Sequence, residues 1–292
     1  MKFYDWPTTV AFDATGLERR FKSMPIDWAA LKRIADIVQS DLDANGLEEH
    51  DDYETVFDMW EAELADVKDT DEKPATWYTS GADYWEAEEN CPPTDMGVLG
   101  GYGHISPIDV EGSAAFLDRL QKSRPTMQQN LAIDCGCGVG RVVKNLLLPR
   151  YTAVDCLEQS QRLLAAAPSY IGAEKARVRN LYCMGMQDFE PVARSYDLIW
   201  CQWVLGHLTD VDFVAFLKRC QAALAPGGVI CIKENAINEG VPYYVDKDDS
   251  SLGRSSAYYK SIFRQAGLTL LAEERQCGFP EELYPVITYA LC

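Results

Sequence analysis

Apolar residues recur at helical spacing near the start of the chain. Trp28, Leu31, Ala35, Val38 and Leu42 advance by three and four positions, and Tyr53, Phe57, Trp60, Leu64 and Val67 do the same. That period puts each set on one face of an amphipathic helix. An acidic turn, Glu48–Asp52, separates the two, and the polar stretch Lys68–Pro74 reads as a linker. Stripes of this kind are read as packing surfaces, so residues 1–75 are assigned to an acidic helical extension and 76–292 to the main domain. From Asn130 the pattern changes to alternating strands and helices. The apolar run ending at Asp134 predicts a strand, followed by a glycine-rich turn and a helix through Val142, Val143, Leu146 and Leu147 that stops at Pro149. Strands are predicted at Tyr151–Cys156, Leu181–Met184 and Asp197–Cys201, with a helix through Leu163 and Leu164. A further helix carries Phe213, Phe216, Leu217, Cys220 and Leu224 and ends at Pro226-Gly227-Gly228, and strand VICIK follows at once. A helix through Tyr259, Ile262, Phe263 and Ala266 precedes two last strands, Leu268–Glu273 and Val286–Leu291. This order predicts an α/β, doubly wound, mostly parallel sheet with helices on both faces and one antiparallel edge.

Composition narrows the function classes. With 292 residues, 47% of them hydrophobic, the chain can bury a large core. A net charge of −18, from 45 acids against 27 Lys and Arg, disfavours binding a nucleic-acid backbone and favours a basic protein or peptide partner. The ten cysteines are scattered and include no CxxC pair, so they are read as reduced thiols; no metal site is expected, and a cytoplasmic or nuclear location is. The start, MKFYDWPTTVAFD, lacks the pattern of a secretory signal, and no apolar run approaches the roughly 20 residues of a membrane span, so no membrane association is expected.

The turn DCGCGVGR, Asp134 to Arg141, places glycines at 136, 138 and 140. Glycine is required where the backbone takes positive φ or a ligand touches the main chain. In an open α/β sheet such a turn lies at the carboxyl end of a strand, where ligands bind. A dinucleotide fingerprint would place glycine at 141, where this chain has Arg141, which weakens a nicotinamide reading. Asp155 follows 21 residues after Asp134 and is expected to end the second strand and bind two ribose hydroxyls. The glycine spacing with this acid resembles the class I S-adenosylmethionine-dependent methyltransferases.

Further motifs sharpen the resemblance: MGVLGGYGHIS (Met96 to Ser106), read as a loop too rich in glycine to be a helix, QWVLGHLTD (Gln202 to Asp210), KEN (Lys233 to Asn235), DDSS (Asp248 to Ser251) and LLAEERQ (Leu270 to Gln276). From about Tyr84 to the end the chain closely resembles the protein N-terminal methyltransferase family. That family modifies the α-amino group of chains beginning Xaa-Pro-Lys after removal of the initiator Met. The resemblance implies a seven-stranded Rossmann-like sheet and S-adenosyl-L-methionine as cofactor, with S-adenosyl-L-homocysteine as product. It implies protein tails with Pro second and Lys or Arg third as partners.

Carried over by position, the likeness implies that Gly136, Arg141, Asp155, Cys156, Met186, Gln202 and Trp85 hold the cofactor, Arg141 pairing with its carboxylate. Leu99, Gly100, Trp203, Asp246, Ser251 and Tyr284 would bind substrate, with Trp203 as an aromatic wall and Asp246 drawing the third-position cation. Asn235 would hold the substrate main chain, and His207 and Asp249 would handle the proton on the amine. Two departures are visible: the loop between Gly240 and Asp249 is about two residues longer than the family pattern, and KEN stands where KDN is expected. Taken without the motif, His207 reads more readily as a structural histidine and Asp249 as a solvated loop acid. Two other functions share the same cofactor turn: a methyltransferase for a small amine or an internal lysine, and a non-catalytic cofactor-binding partner protein.

Overall fold

Leu131–Cys135 form β1, a strand buried along its whole length, because the sheet around it is covered on both faces. The computed structural model describes residues 26–47, 52–65, 77–237 and 240–292. In it β1 joins β2 (Ala153–Glu158), β3 (Val178–Cys183), β4 (Tyr196–Gln202), β5 (Leu224–Asn235), β8 (Leu270–Arg275) and β9 (Val286–Leu291). The order is β3-β2-β1-β4-β5-β9-β8; β1 to β5 run parallel, while β9 pairs antiparallel with both β5 and β8. The chain leaves β1 for β2 on one side and returns as β4 on the other. That reversal opens a crevice at the strands' carboxyl ends, where Asp134, Gly136 and Gln202 lie.

The expected sheet is therefore present, with its antiparallel edge. A separate hairpin, β6 (Tyr243–Asp246) with β7 (Ser251–Arg254), was not expected; it carries Asp249 in its turn. Two helices were also missed. In α3 (Trp77–Glu86), Gly81 sits in the middle, where glycine is unfavourable by propensity, yet a Cβ there would come within 2.9 Å of the Asp249 carbonyl. In α4 (Ser106–Ser123), two of the buried positions are Asp109 and Ser113, so the apolar periodicity that marks a helix is interrupted. The loop predicted at 96–106 contains a helical turn, Asp95–Val98, capped by Thr94, and a 3-10 turn, Gly103–Ile105. The side-chain cap and the short length make these turns possible despite the glycines.

The extension contributes α1 (Trp28–Asp43) and α2 (Val56–Glu63); the proposed linker at 68–74 and residues 48–51 of the acidic turn lie outside the described residues. α1 packs onto α6 (Asp210–Ala223) and α7 (Ser256–Gln265), which follow α5 (Gln161–Ile171) in the chain, and α2 packs onto α1; Leu31, Val38, Leu42, Met59 and Trp60 share one hydrophobic cluster with sheet residues Ile199, Ile230 and Tyr289. Each fully buried Leu or Val there contributes about 1.5–3 kcal/mol relative to exposure. Ser261 donates to Asp41 at 2.5 Å and Arg264 pairs with the same carboxylate at 2.6 Å, which ties α1 to α7. Among the described residues no helix is long and apolar enough to cross a membrane.

Candidate active site

The glycine turn closes against Val204, the second residue beyond β4. Gly136 has φ +78°, and a Cβ built on it would lie 2.4 Å from Val204 Cγ2, so both the conformation and the close approach demand glycine. The crevice above this turn is lined by Asp134, Gly138, Glu158, Gln159, Met186 and Gln202, and on its outer side by Trp85, Trp203 and His207. Glu158, the last residue of β2, accepts the Gly138 N–H at 2.9 Å and the Ser160 N–H at 2.8 Å. Asp134 is buried with one carboxylate oxygen unpartnered, and burial pushes its pKa up to about 7. A nucleoside with an ammonium and a carboxylate fits this lining: a main-chain cradle, a strand-end acid, an unpartnered carboxylate oxygen and a guanidinium.

Beneath the crevice lies a buried charge network. Asp109 pairs with Arg141 at 2.7 Å and with Lys233 at 2.6 Å, and accepts both-oxygen hydrogen bonds from Gln202 at 2.9 Å. Burial alone would raise the Asp109 carboxyl, but the attraction of Lys233 and Arg141 outweighs it and holds the carboxyl below its ordinary value. Lys233 also donates to Ser113 at 2.8 Å and Gln276 at 2.7 Å. Two of the sequence motifs are explained here: KEN begins, and LLAEERQ ends, on a residue that holds α4 against the sheet. Glu234 accepts the N–H groups of Val204 and Leu205 at 2.8 and 2.9 Å, which shapes the turn after β4, and burial pushes its pKa up to about 7.

The outer side is aromatic and acidic. Trp203 takes φ +53°, a strained conformation for a bulky residue, held by its N–H to the Lys233 carbonyl at 3.1 Å. Its indole N–H donates to Asn235 Oδ1 at 3.1 Å, and its ring stacks on Phe279 with centroids 6.4 Å apart. His207 has both ring nitrogens engaged. Nδ1 lies 3.2 Å from the Ser250 carbonyl, which can only accept, and Nε2 lies 3.0 Å from the Trp85 indole nitrogen, which can only donate. Asp249 Oδ2 stands 4.0 Å from His207 Nε2, and Asp249 Oδ1 is buried without a hydrogen-bond partner. Burial raises the Asp249 carboxyl above its ordinary value, opposed by the attraction of His207 and by the Ser251 hydroxyl.

Placed on the structure, the expected residues divide. Gly136, Arg141, Met186, Gln202, Trp85, Trp203 and His207 all line the one crevice. Asn235, Asp249 and Ser251 stand beside it through the contacts just given. Asp246 and half-exposed Tyr284 gather with Tyr244 on the side of Asp249, where the charge of Asp246 is the main cause that raises the Tyr244 phenol, with Tyr284, Asp248 and Asp249 acting in the same direction. Leu99 is buried behind the Asp95–Val98 turn and Gly100 is exposed; it is Val98 that enters the crevice.

Two expectations are corrected. Asp155 does not end β2: the strand begins and ends two residues later than predicted, so Asp155 lies inside it, fully buried and bound to Arg179 at 2.6 Å, Asn180 at 3.0 Å and Tyr196 at 2.9 Å. Glu158 takes the strand-end position instead. Cys156 faces the opposite side of β2, in a hydrophobic cluster with Leu146, Val154 and Trp200, and does not reach the crevice. Sequence reasoning also passed over Glu158, Phe279, Asp109 and Gly81. The acid of LEQ at the β2 end and the aromatic in CGF were the available signals for the first two, a strand-end carboxylate and a wall ring, whereas nothing local marked Asp109.

Comparison with known proteins agrees with this geometry. Residues 73–292 match the model of a family described as AdoMet dependent proline di-methyltransferase. The N-terminal Xaa-Pro-Lys N-methyltransferase 1 of Rattus norvegicus is 47% identical over 216 residues, covering 74% of this chain and 95% of that protein. The alpha N-terminal protein methyltransferase 1 of Arabidopsis thaliana is 41% identical over 248 residues, 82% of this chain and 87% of its own length. A solved structure of a SAM-dependent methyltransferase from Leishmania major superposes with a TM-score of 0.73 at 38% identity, covering 82% of this chain and 92% of that one. Fold, crevice and relatives together place this chain in the AdoMet-dependent proline di-methyltransferase family, as an S-adenosylmethionine-dependent methyltransferase.

Proposed function

We propose that the chain methylates the α-amino group of protein N-termini of the form Xaa-Pro-Lys or Xaa-Pro-Arg. The observation that carries this reading is the grouping of Trp203 and His207 in the cofactor crevice with Asp249 immediately behind, one of its carboxylate oxygens buried and unpartnered. Gly136, Gly138, Glu158, Gln202 and Arg141 would hold S-adenosylmethionine, which supplies an electrophilic methyl group on a positively charged sulfur. The protein's own tasks are to aim the amine and to remove its proton.

An α-amine, with a pKa of about 7.7 to 8.0, needs only weak assistance to present its lone pair, whereas a lysine amine at about 10.4 needs far more. Asp249 accepts that proton, since His207 as placed has no free lone pair. His207 serves to fix the Ser250 carbonyl and the electrostatics beside Asp249. The stacked pair Trp203 and Phe279 walls a slot suited to the flat, rigid second-position proline. Asn235, with its oxygen satisfied by Trp203, has its amide N–H groups left for the substrate main chain. The acids Asp246 and Asp248 draw the third-position cation.

A panel of peptides checks this reading by mass spectrometry. Ser-Pro-Lys peptides are expected to gain methyl groups, while N-acetylated copies and copies with Ala-Ala after Ser gain none; methylation of the acetylated peptide at lysine would favour an internal-lysine enzyme. Glu158→Ala is expected to weaken S-adenosylmethionine binding about 10–100-fold, the loss of one or two hydrogen bonds to a charged group. Asp155→Asn should change that affinity less than about threefold, at a stability cost of roughly 1–3 kcal/mol for its disturbed partners. Calorimetric titration of both variants distinguishes the two acids, and equal affinity losses would restore Asp155 to the cofactor site.

A further inference from the structure

Trp60 lies in the N-terminal extension, ahead of the first residue matched by the family, yet it is completely buried. Its indole N–H donates to Asp210 Oδ2 at 2.8 Å, and its ring meets Trp77 edge to face at 5.2 Å. Asp210, also completely buried, accepts the Tyr258 hydroxyl at 2.5 Å and pairs through Oδ1 with Arg254 at 2.9 Å. Arg254 donates in turn to the carbonyls of Leu205 at 3.1 Å and Leu208 at 2.8 Å, which flank His207. From the other direction Trp77 donates to the His207 carbonyl at 2.7 Å. The 3-10 turn Leu205–His207 and the residue after it are thus anchored at three carbonyls, and every anchor leads back to Trp60 in one or two steps.

We propose that Trp60 is a positioning residue for methyl transfer, fixing through Asp210, Arg254 and Trp77 the turn that presents His207. The extension is then part of the active-site frame. A fully buried carboxylate and guanidinium hold one geometry only while each of their polar atoms is satisfied. Without the indole N–H, Asp210 Oδ2 keeps Tyr258 alone, and any shift of the pair is passed directly to the two carbonyls beside His207. A second, weaker tie runs from the same helix: Glu63 lies 3.4 Å from Lys247 in the hairpin turn that carries Asp249. Lys247 is largely exposed, so this pair adds orientation more than strength.

Trp60→Phe in the full chain keeps an aromatic ring against Trp77 and removes only the donor. The inference rests on the N-terminal methylation reading, and turnover of a Ser-Pro-Lys peptide by the wild-type enzyme is the control for that reading; absence of that turnover counts against the proposed function itself. With the control active, Trp60→Phe is expected to lower kcat about tenfold and to shift the acid limb of its pH profile, because a displacement near 1 Å at a catalytic group costs up to about 10²-fold. KM for the peptide and Kd for S-adenosylmethionine should stay within about twofold, since neither ligand touches Trp60. Unchanged kcat with an unchanged pH profile overturns the proposal, whatever happens to thermal stability. Should Trp60→Phe fail to fold, Trp77→Phe cuts the last link to the His207 carbonyl: the same loss of kcat at constant Kd supports the frame, and a wild-type kcat overturns it.

Discussion

Replacement of Asp249 with Asn is expected to lower kcat on a Ser-Pro-Lys peptide by about 10²–10³-fold, the usual contribution of a positioned general base. KM should change little, since the carboxylate contributes most once the amine must lose its proton. The pH dependence carries the assignment further. Burial raises the Asp249 carboxyl above its ordinary range, and the proton acceptor must be ionised. Activity of the wild type should therefore fall as pH drops through that raised value, at a higher pH than an exposed aspartate would dictate, and Asp249→Asn should lack this limb. His207→Asn is expected to show a smaller loss and a displaced limb, because His207 lowers the Asp249 value by attraction and braces the Ser250 carbonyl. Steady-state kinetics from pH 5 to 9 decide the matter; a larger loss in His207→Asn than in Asp249→Asn would reverse the two roles.

The largest effect on stability is expected at Asp109. Asp109→Ala leaves Arg141 and Lys233 buried with no counter-charge, and breaking a buried pair in this way costs about 3–5 kcal/mol. The sign with pH follows from the lowered carboxyl of Asp109: its stabilisation is fully present above the ordinary aspartate value and is lost only as pH falls through the lower folded value. At pH 7 the whole contribution is therefore at stake, and denaturant unfolding of wild type and variant measures it. Cofactor binding should suffer as well, because Asp109 orients both Arg141 and Gln202 in the crevice. A variant that unfolds at the wild-type denaturant concentration would show that water or rearrangement satisfies the two cations, and that the network is not the keystone of α4 packing.

These expectations separate what is local in this protein from what is not. The sheet was legible because most of its strands carry a short apolar run, and β9 was placed to the residue, at Val286–Leu291, although β5 begins at Leu224, ahead of the Pro226-Gly227-Gly228 stretch expected to end the helix. The glycine turn was legible for a similar reason: positive φ at Gly136, Gly138 and Gly140 leaves its mark on single positions. The motifs around Trp203, His207, Asn235 and Asp249 could be read as a set because they resemble a family over consecutive residues. Asp155 was misplaced because strand ends are poorly marked by periodicity, and a shift of two residues exchanged a buried structural acid for Glu158.

The amino-acid order alone thus determined the fold class, the cofactor turn and most of the residues that meet there, since each depends on patterns a few residues long. Only tertiary structure decided that Asp109 is the hub of the crevice floor, its backbone joined to Lys233 across 124 positions, and that Trp60 reaches Asp210 across 150. Buried polar partners break the hydrophobic periodicity of their own segments, and what they gain from one another appears only when distant segments are brought into contact.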